Sequence, residues 1–554
     1  MGLKKREKPP HSLHKLLERW QTAVKFSPYS PPAYSGPDIS FHQLVENTAL
    51  IEPGDAFVAR VRPTSDGHPY IQQAIEKGAE LILAQRSAAE LELTVPEDVV
   101  YWQVPDTAVA LAWLSAAQYG FPSRQLILIG VTGTDGKTST ANILYAILQQ
   151  AGIKTGLLST IRAALAGEDE LLALHVTTPE APVVQQYLRR MVDSGLTHAV
   201  LESTSIGLDQ HRVGAVDFDV AVVTNITHEH LDYHGSYEAY VAAKKRLFDG
   251  LAEDIWVVPA EKAAVEKTAV LNRDDSSYEP LASVSAPKQL SYSLHHTADT
   301  TANNIHYSPA QTCFDLHLPN TPPLSIATKL LGEFNIYNML AAAAVAYTLG
   351  IEPSQIQQGL CAVDSISGRM ERIDGGQSFL TIVDFAHTPD SLVKAIGVAR
   401  RMLVEGGNGR IITVFGSAGK RDIAKRSMMA AASAQNAELT ILTAEDPRTD
   451  SLDEILQTMA EACREHGGRE NETFWRIPDR GNAIYFALTR AQPQDVVLIC
   501  GKGHEQSMCF GAIEYPWDDR EATKTALAAW QAGEPMVDLG LPTFREKQNA
   551  FQNH

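Results

Sequence analysis

The stretch Gly130-Val-Thr-Gly-Thr-Asp-Gly-Lys-Thr-Ser-Thr140 decides the fold. It ends an apolar run at residues 125–131 and opens a helical pattern at residues 137–150. The order strand, glycine loop, helix is the start of a β-α-β unit. Glycines let backbone N–H groups close around phosphate oxygens. Lys137 brings positive charge to the outer phosphates, Thr138 offers a hydroxyl to Mg2+, and the following helix directs its N-terminus at the anion. The spacing departs from the usual phosphate loop, because five residues rather than four separate Gly130 from Gly136. A bare glycine turn with a chance lysine does not explain the strand before it and the helix after it.

Working outward, residues 199–201 and 220–223 are further short apolar runs, each followed by helical patterning. Residues 380–384, 410–415, 439–443 and 496–500 repeat that rhythm in the last third of the chain. Strands alternating with helices predict parallel sheets covered on both faces, the second of them Rossmann-like. Before the loop, residues 56–61 and 81–84 read as strands and 70–77 as a helix. Residues 281–323 are polar and weakly periodic, and a helix is expected at 335–350. The class is therefore α/β. The expected division is a loosely ordered tail at 1–37, an N-terminal domain at 38–122, a central phosphate-loop domain at 123–352 and a C-terminal domain at 353–540.

The chain has 554 residues, 44% hydrophobic and 20% charged, ordinary for several globular domains. No uninterrupted apolar run reaches the roughly 18 residues of a bilayer span. The basic N-terminus is not followed by an apolar segment, so it does not read as a secretory signal. Five dispersed cysteines fit a reducing compartment, hence a cytoplasmic protein. A net charge of −19 argues against nucleic acid as partner, yet local cationic loops can still bind phosphate.

Two strand ends carry further chemistry. Leu201-Glu-Ser-Thr-Ser205 places Glu202 at a strand's C-terminal end, beside the loop in an open α/β sheet, where it could bind Mg2+ or stand as a surface carboxylate. Thr224-Asn-Ile-Thr-His-Glu-His-Leu-Asp-Tyr-His-Gly235 packs three histidines and two carboxylates into seven residues. Histidines suit zinc. The absence of a neighbouring cysteine and the nearby phosphate loop favour magnesium-nucleotide chemistry instead. Tyr240-Val-Ala-Ala-Lys-Lys-Arg-Leu-Phe248 reads as a helix whose lysines, by themselves, would be solvated.

In this order, and with Thr177-Thr-Pro-Glu180, Gly332-Glu-Phe-Asn-Ile-Tyr-Asn338, Gly368-Arg-Met-Glu371, Asp384-Phe-Ala-His-Thr-Pro-Asp390, Glu445-Asp-Pro-Arg448 and Gly501-Lys-Gly-His-Glu505, the chain resembles the Mur ligase family. The resemblance is to the branch that adds the third residue of the peptidoglycan stem, and it runs from about Asn47 to Glu521. It implies three domains and a two-step ATP-dependent reaction. The terminal carboxylate of UDP-MurNAc-L-Ala-D-Glu is phosphorylated, and the amine of a free diamino acid displaces phosphate. ATP and Mg2+ are the implied cofactors, and a monomer is expected, with domain closure before chemistry. Gly133, Thr134, Asp135, Gly136, Lys137, Thr138 and Ser139 would hold ATP, with Asn335, Arg369, Asp384 and His387 contributing from elsewhere. Thr138, Glu202, His230 and Lys244 would serve the metals, Lys244 as a carbamylated lysine. Lys137, Lys244, His230 and Asn225 form the implied catalytic set. Thr48, Thr177, Thr178, Ser205 and Arg212 would contact the UDP-linked dipeptide. Here the chain departs from the family: Asn47-Thr-Ala49 stands for Asp-Ser-Arg, and Thr204-Ser-Ile206 lacks the family's histidine.

Arg421, Glu445, Asp446, Pro447, Arg448, Gly501 and Glu505 match the positions that read the incoming amino acid. Arg448 suits a second carboxylate, as in diaminopimelate. Asp446, where the family usually has Asn, would repel that carboxylate and suit the ammonium of lysine or ornithine. The two signals conflict. Rival readings are a ligase of the folylpolyglutamate or cyanophycin type, against which the last two motifs argue, and a non-catalytic binding paralogue, which the intact Lys137, Glu202, His230 and Lys244 oppose.

Overall fold

The computed structural model describes residues 10–544, apart from 26–28, 64, 166–167, 172–176, 228, 254, 258–261, 263–264, 309–310, 404–407 and 421–422. The chain forms two compact units. The first takes residues up to Asn303 with Leu316–Leu324 and Ile336–Leu360; the second takes Asn304–Asp315, Ser325–Asn335 and the chain from Cys361.

In the first unit, the β-branched and leucine-rich run Ile127–Thr132 is buried at every position, as expected of a strand covered on both faces. It lies between His198–Glu202 and Val220–Val223, both parallel to it. Thr155–Leu158 flanks the first of these, and Thr268–Asn272 and Lys288–Ser293 extend the sheet beyond the second. The expected parallel sheet acquires an antiparallel edge, Arg162–Leu165 with Glu168–Leu171. Those residues are too polar and too short to register as buried strands in sequence. The helices Lys137–Gln150, Ala181–Asp193 and Tyr237–Ala252 bury their apolar positions. A second, four-stranded parallel sheet runs in the order Leu44–Val45, Ala56–Val58, Leu81–Ala84, Val100–Gln103. It and the central sheet, expected as separate domains, share this compact unit.

The segment to Pro37, expected as loosely ordered, contains a packed helix, Leu13–Ala23. Ser12 caps it by accepting from the Lys15 N–H, and Leu13, Leu16 and Trp20 face the core. Trp20 stacks on Trp113 at 5.8 Å and 3°, and Trp113 lies 5.4 Å from Trp256. Apolar spacing three and four residues apart was present in the sequence; the prolines that follow masked it.

The second unit holds a six-stranded sheet in the order Glu371–Arg372, Leu380–Asp384, Val496–Cys500, Ile411–Phe415, Leu439–Leu442, Phe474–Arg476. All but the first are parallel. Two separate apolar cores cover its faces. The strands 380–384 and 496–500 fall on their expected residues.

Candidate active site

The register of the central sheet assembles the site of the first unit. Glu202 pairs with Val131 and Val223 with Thr132, so Glu202 and Thr224 both stand where the chain leaves the sheet for the glycine loop. Gly133 sits at φ +148°, and a Cβ there would fall 1.8 Å from the Thr224 Oγ1. Only glycine lets the two loops approach this closely. Lys137 donates to the carbonyls of Gly133 at 3.0 Å and Thr134 at 2.7 Å. Asn225 brackets the peptide of Asp135, accepting from its N–H at 3.1 Å and donating to its carbonyl at 3.2 Å. Asn225 therefore fixes the loop's shape. Ser139 is buried in the first turn of the helix that follows.

Glu202 is 2% exposed. Its carboxylate accepts from the Thr138 hydroxyl at 3.0 Å, the Thr160 N–H at 3.1 Å and the Thr160 hydroxyl at 3.0 Å. Lys244, fully buried, donates to the same Gly133 carbonyl that Lys137 uses, at 2.6 Å, and lies 4.5 Å from the centre of the Tyr240 ring. Burial first, and then the ammonium of Lys137, drive its pKa well below the ordinary 10.5. Lys245, which sequence alone could not separate from it, is half-exposed and pairs with Asp249. His230 adopts φ +55°, and its ring lies 6.4 Å from that of Tyr240 and 3.9 Å from the Glu229 carboxylate. His228 lies outside the described residues.

Around the Glu202 strand end, the Thr178 hydroxyl donates to the Glu202 carbonyl at 3.0 Å and accepts from the Thr204 N–H at 2.9 Å. Arg212 donates to the Thr178 carbonyl at 2.8 Å and pairs with Glu180 at 2.8 Å, while its Nε is buried without a partner. Ser205 hydrogen-bonds His234 at 3.1 Å, and Thr177 is half-buried. Thr48, half-buried, donates to Gln73 at 2.8 Å.

The second unit holds the remaining candidates, with Asp384, His387, Glu445, Asp446, Arg448, Gly501 and Glu505 at or beyond the carboxyl ends of its strands. Asp384 accepts from the N–H groups of Met370 at 2.7 Å and Ala386 at 2.8 Å, so it fastens two turns together. The Arg369 guanidinium lies 4.5 Å over the Phe385 ring, which His387 also contacts at 4.5 Å. Asn335 donates to the Leu331 carbonyl at 2.8 Å. Glu445 is buried, and its Oε2 has no hydrogen-bond partner; a Cβ on Gly501 would meet that oxygen at 2.2 Å. Burial pushes the Glu445 carboxyl up to about 7, against the nearby cations Arg480, Lys425 and Lys502. Asp446 and Arg448, on either side of Pro447, both adopt positive φ. Arg421 lies outside the described residues.

Asp446 corrects one expectation. Its carboxylate does not stand free to repel a substrate: Lys502 donates to both of its oxygens at 3.0 and 3.1 Å, and the Cys509 N–H donates to one at 2.9 Å. Lys502 also pairs with Glu505 at 2.6 Å. The Nε of Arg448 is buried without a partner.

Known proteins resemble this chain over most of its length. The Mur ligase middle domain matches residues 131–346, and the Mur ligase glutamate ligase domain matches residues 368–503. A UDP-N-acetylmuramoyl-L-alanyl-D-glutamate–2,6-diaminopimelate ligase of Bacillus licheniformis is 38% identical over 90% of this chain and 96% of its own. The chain belongs to the Mur ligase family. A UDP-N-acetylmuramyl-tripeptide synthetase of Deinococcus radiodurans is 40% identical to this Mur ligase over 88% of the chain and 94% of its own length. A solved UDP-N-acetylmuramoyl-L-alanyl-D-glutamate–2,6-diaminopimelate ligase superposes with a TM-score of 0.59 at 28% identity, over 89% of this chain and 96% of that one.

Family members are ATP-dependent amide ligases, and the donor set of this Mur ligase fits Mg2+. One buried carboxylate, Glu202, touches the hydroxyls of Thr138 and Thr160, both at 3.0 Å, and Mg2+ takes few protein oxygens because substrate phosphates and water complete its octahedron. Among the described residues no three His, Cys, Asp or Glu side chains form a metal cluster of their own.

Three residues of this Mur ligase escaped the sequence reading. Thr160 reaches Glu202 only through the fold and left no local signal. Gln210, which accepts from Arg212 at 2.9 Å and donates to Tyr233 at 3.1 Å, is two residues from an assigned arginine. Lys502 stood inside the Gly-Lys-Gly-His-Glu motif.

Proposed function

We propose that this chain joins a free diamino acid, diaminopimelate, to UDP-MurNAc-L-Ala-D-Glu with ATP as energy source, in the cytoplasm where nucleotide-linked precursors and ATP meet. The observation that carries the reading is the convergence of Lys137 and Lys244 on the Gly133 carbonyl, with Glu202, at a strand end, in contact with Thr138, in the helix that follows the loop. The identity with tripeptide-synthesising relatives supports it.

A carboxylate is a poor electrophile at neutral pH, and transfer of the γ-phosphoryl group gives it a leaving group. Two anions have to be brought together for that transfer, so the site supplies cations and N–H dipoles. Gly133 to Ser139 wrap the phosphates, with Lys137 turning from the loop carbonyls to the outer phosphate oxygens. Asn225 keeps the loop open in that shape. Glu202 and Thr138 would hold Mg2+, with His230 next to the loop, and bound there it would supply positive charge against the phosphates. Lys244, whose charged form burial disfavours, would add carbon dioxide at Nζ with release of a proton, giving an anionic carbamate suited to a second Mg2+. Thr178, Ser205 and Arg212 orient the dipeptide end, and Thr48 the uridine end. Arg369, Asp384, His387 and Asn335, in the second unit, are the further residues that the family resemblance assigns to nucleotide binding.

The choice of diaminopimelate rests on charge. Asp446 is already matched by Lys502, so Arg448 keeps an unspent positive charge for a second carboxylate. ATP, UDP-MurNAc-L-Ala-D-Glu and a panel of diaminopimelate, lysine and ornithine, read by product mass, test the reading. Diaminopimelate tripeptide is the expected main product; no product from any acceptor would refute the assignment. In the same assay Lys137→Ala should lower acceptor-dependent phosphate release by roughly 100- to 1,000-fold, the scale of losing one charged donor at a developing anion.

A further inference from the structure

The lysine of Gly501-Lys-Gly-His-Glu505 has no role in the account above beyond its ion pairs, and its surroundings are unusual. Lys502 is 2% exposed. A buried ammonium is costly unless it is closely paired, and this one is paired twice, to Asp446 at 3.0 Å and to Glu505 at 2.6 Å. Both partners belong to the set expected to read the incoming amino acid, and Arg448 follows Asp446 by two residues. The local charges are therefore two carboxylates, one buried ammonium and one guanidinium whose Nε lacks an acceptor. Glu445, next in sequence, is driven toward its neutral form by burial.

We infer that Lys502 is the residue that sets the charge preference of the amino-acid pocket: by neutralising Asp446 from behind, it leaves Arg448 free to select an acceptor with a second carboxylate. This deepens the ligase reading and rests on it. Lys502 is too buried to reach substrate itself, so it acts through Asp446 and is a positioning residue. Without it, the pocket would hold two uncompensated carboxylates beside Arg448 and would favour an acceptor ending in an ammonium. The substitution of Asp for Asn at position 446 then makes no difference to the acceptor while Lys502 is present.

A substitution cycle with kcat and KM measured for diaminopimelate and for lysine tests this. Lys502→Met should lower kcat/KM for diaminopimelate on the order of 100-fold, mostly through KM, because a like charge now faces the incoming carboxylate. Lysine should lose far less. Adding Asp446→Asn to Lys502→Met should recover most of the diaminopimelate loss, since it removes the exposed charge. A loss of purely structural origin would strike both acceptors equally and would not be rescued by the second change; either result overturns the inference. Asp446→Asn alone, which leaves the buried lysine in place, covers the case in which Lys502→Met does not fold. It should leave the diaminopimelate-to-lysine preference unchanged, and a rise in that preference would show that Asp446 repels the second carboxylate despite Lys502, which counts against the inference. A wild-type chain that makes no product with any acceptor overturns the ligase reading instead, so the two failures are distinct.

Discussion

Burial and the ammonium of Lys137 both act against the charged form of Lys244, and that has a chemical consequence which a surface lysine would not have. A neutral amine is a nucleophile for carbon dioxide; an ammonium is not. Incubation with 13C-bicarbonate should therefore give a carbamate carbon resonance in the wild type that is missing in Lys244→Arg, whose guanidinium stays protonated. A resonance that survives the substitution would place the carbamate elsewhere. Glu445 shows the opposite case. Its carboxyl is raised from 4.5 to about 7, so the folded chain holds this proton over a range where the unfolded chain has lost it. Stability from this group is full below about pH 4.5 and falls as pH rises toward 7, by up to about 3 kcal/mol. Glu445→Gln, neutral throughout, should flatten that part of the stability–pH curve in urea titrations at pH 5 and pH 8. An unchanged slope would mean that Glu445 is charged and paired in the fold.

At the scale of elements, the glycine loop and its flanking strand and helix were legible because three signals coincide there: an apolar run, glycines, and a helical repeat. The strands at 220–223, 380–384 and 496–500 were legible for a simpler reason, since buried parallel strands are continuous apolar runs. Lys244 and Thr160 were not, because their meaning depends on which loop the fold brings to them; resemblance to a family named the first, and nothing local named the second. The antiparallel edge strands are polar and carry no periodic signal. The helix Leu13–Ala23 was legible as a helix but not as a packed one. Its contribution can be measured. Trp20 is fully buried against Trp113, and its indole N–H donates to the Tyr29 carbonyl at 2.6 Å. Trp20→Ala should destabilise the first unit by about 3–5 kcal/mol, the range for deleting a large buried aromatic, visible as a lower urea midpoint at unchanged slope. A loss under about 1 kcal/mol would show that this helix is dispensable to the core.

Over the whole molecule, the two compact units have their own apolar cores: one around Ala199, Leu201, Val223 and Phe248, the other around Ile382, Phe415, Leu442 and Leu498. The candidate residues for the two substrates divide between them. Thr48, Thr178, Ser205 and Arg212, expected to hold the UDP-linked dipeptide, belong to the first. Glu445, Asp446, Arg448, Gly501 and Glu505, expected to hold the free amino acid, belong to the second. A ligand that binds only the folded form of one unit stabilises that unit alone, by about 2.7 kcal/mol at 100 times its Kd. Calorimetry should therefore show two unfolding transitions. UDP-MurNAc-L-Ala-D-Glu should raise one, diaminopimelate the other, and Lys502→Met should abolish the second shift while leaving the first. A single transition that moves as a whole with either ligand would mean that the units unfold as one cooperative body and that their separate cores do not confer separate stability.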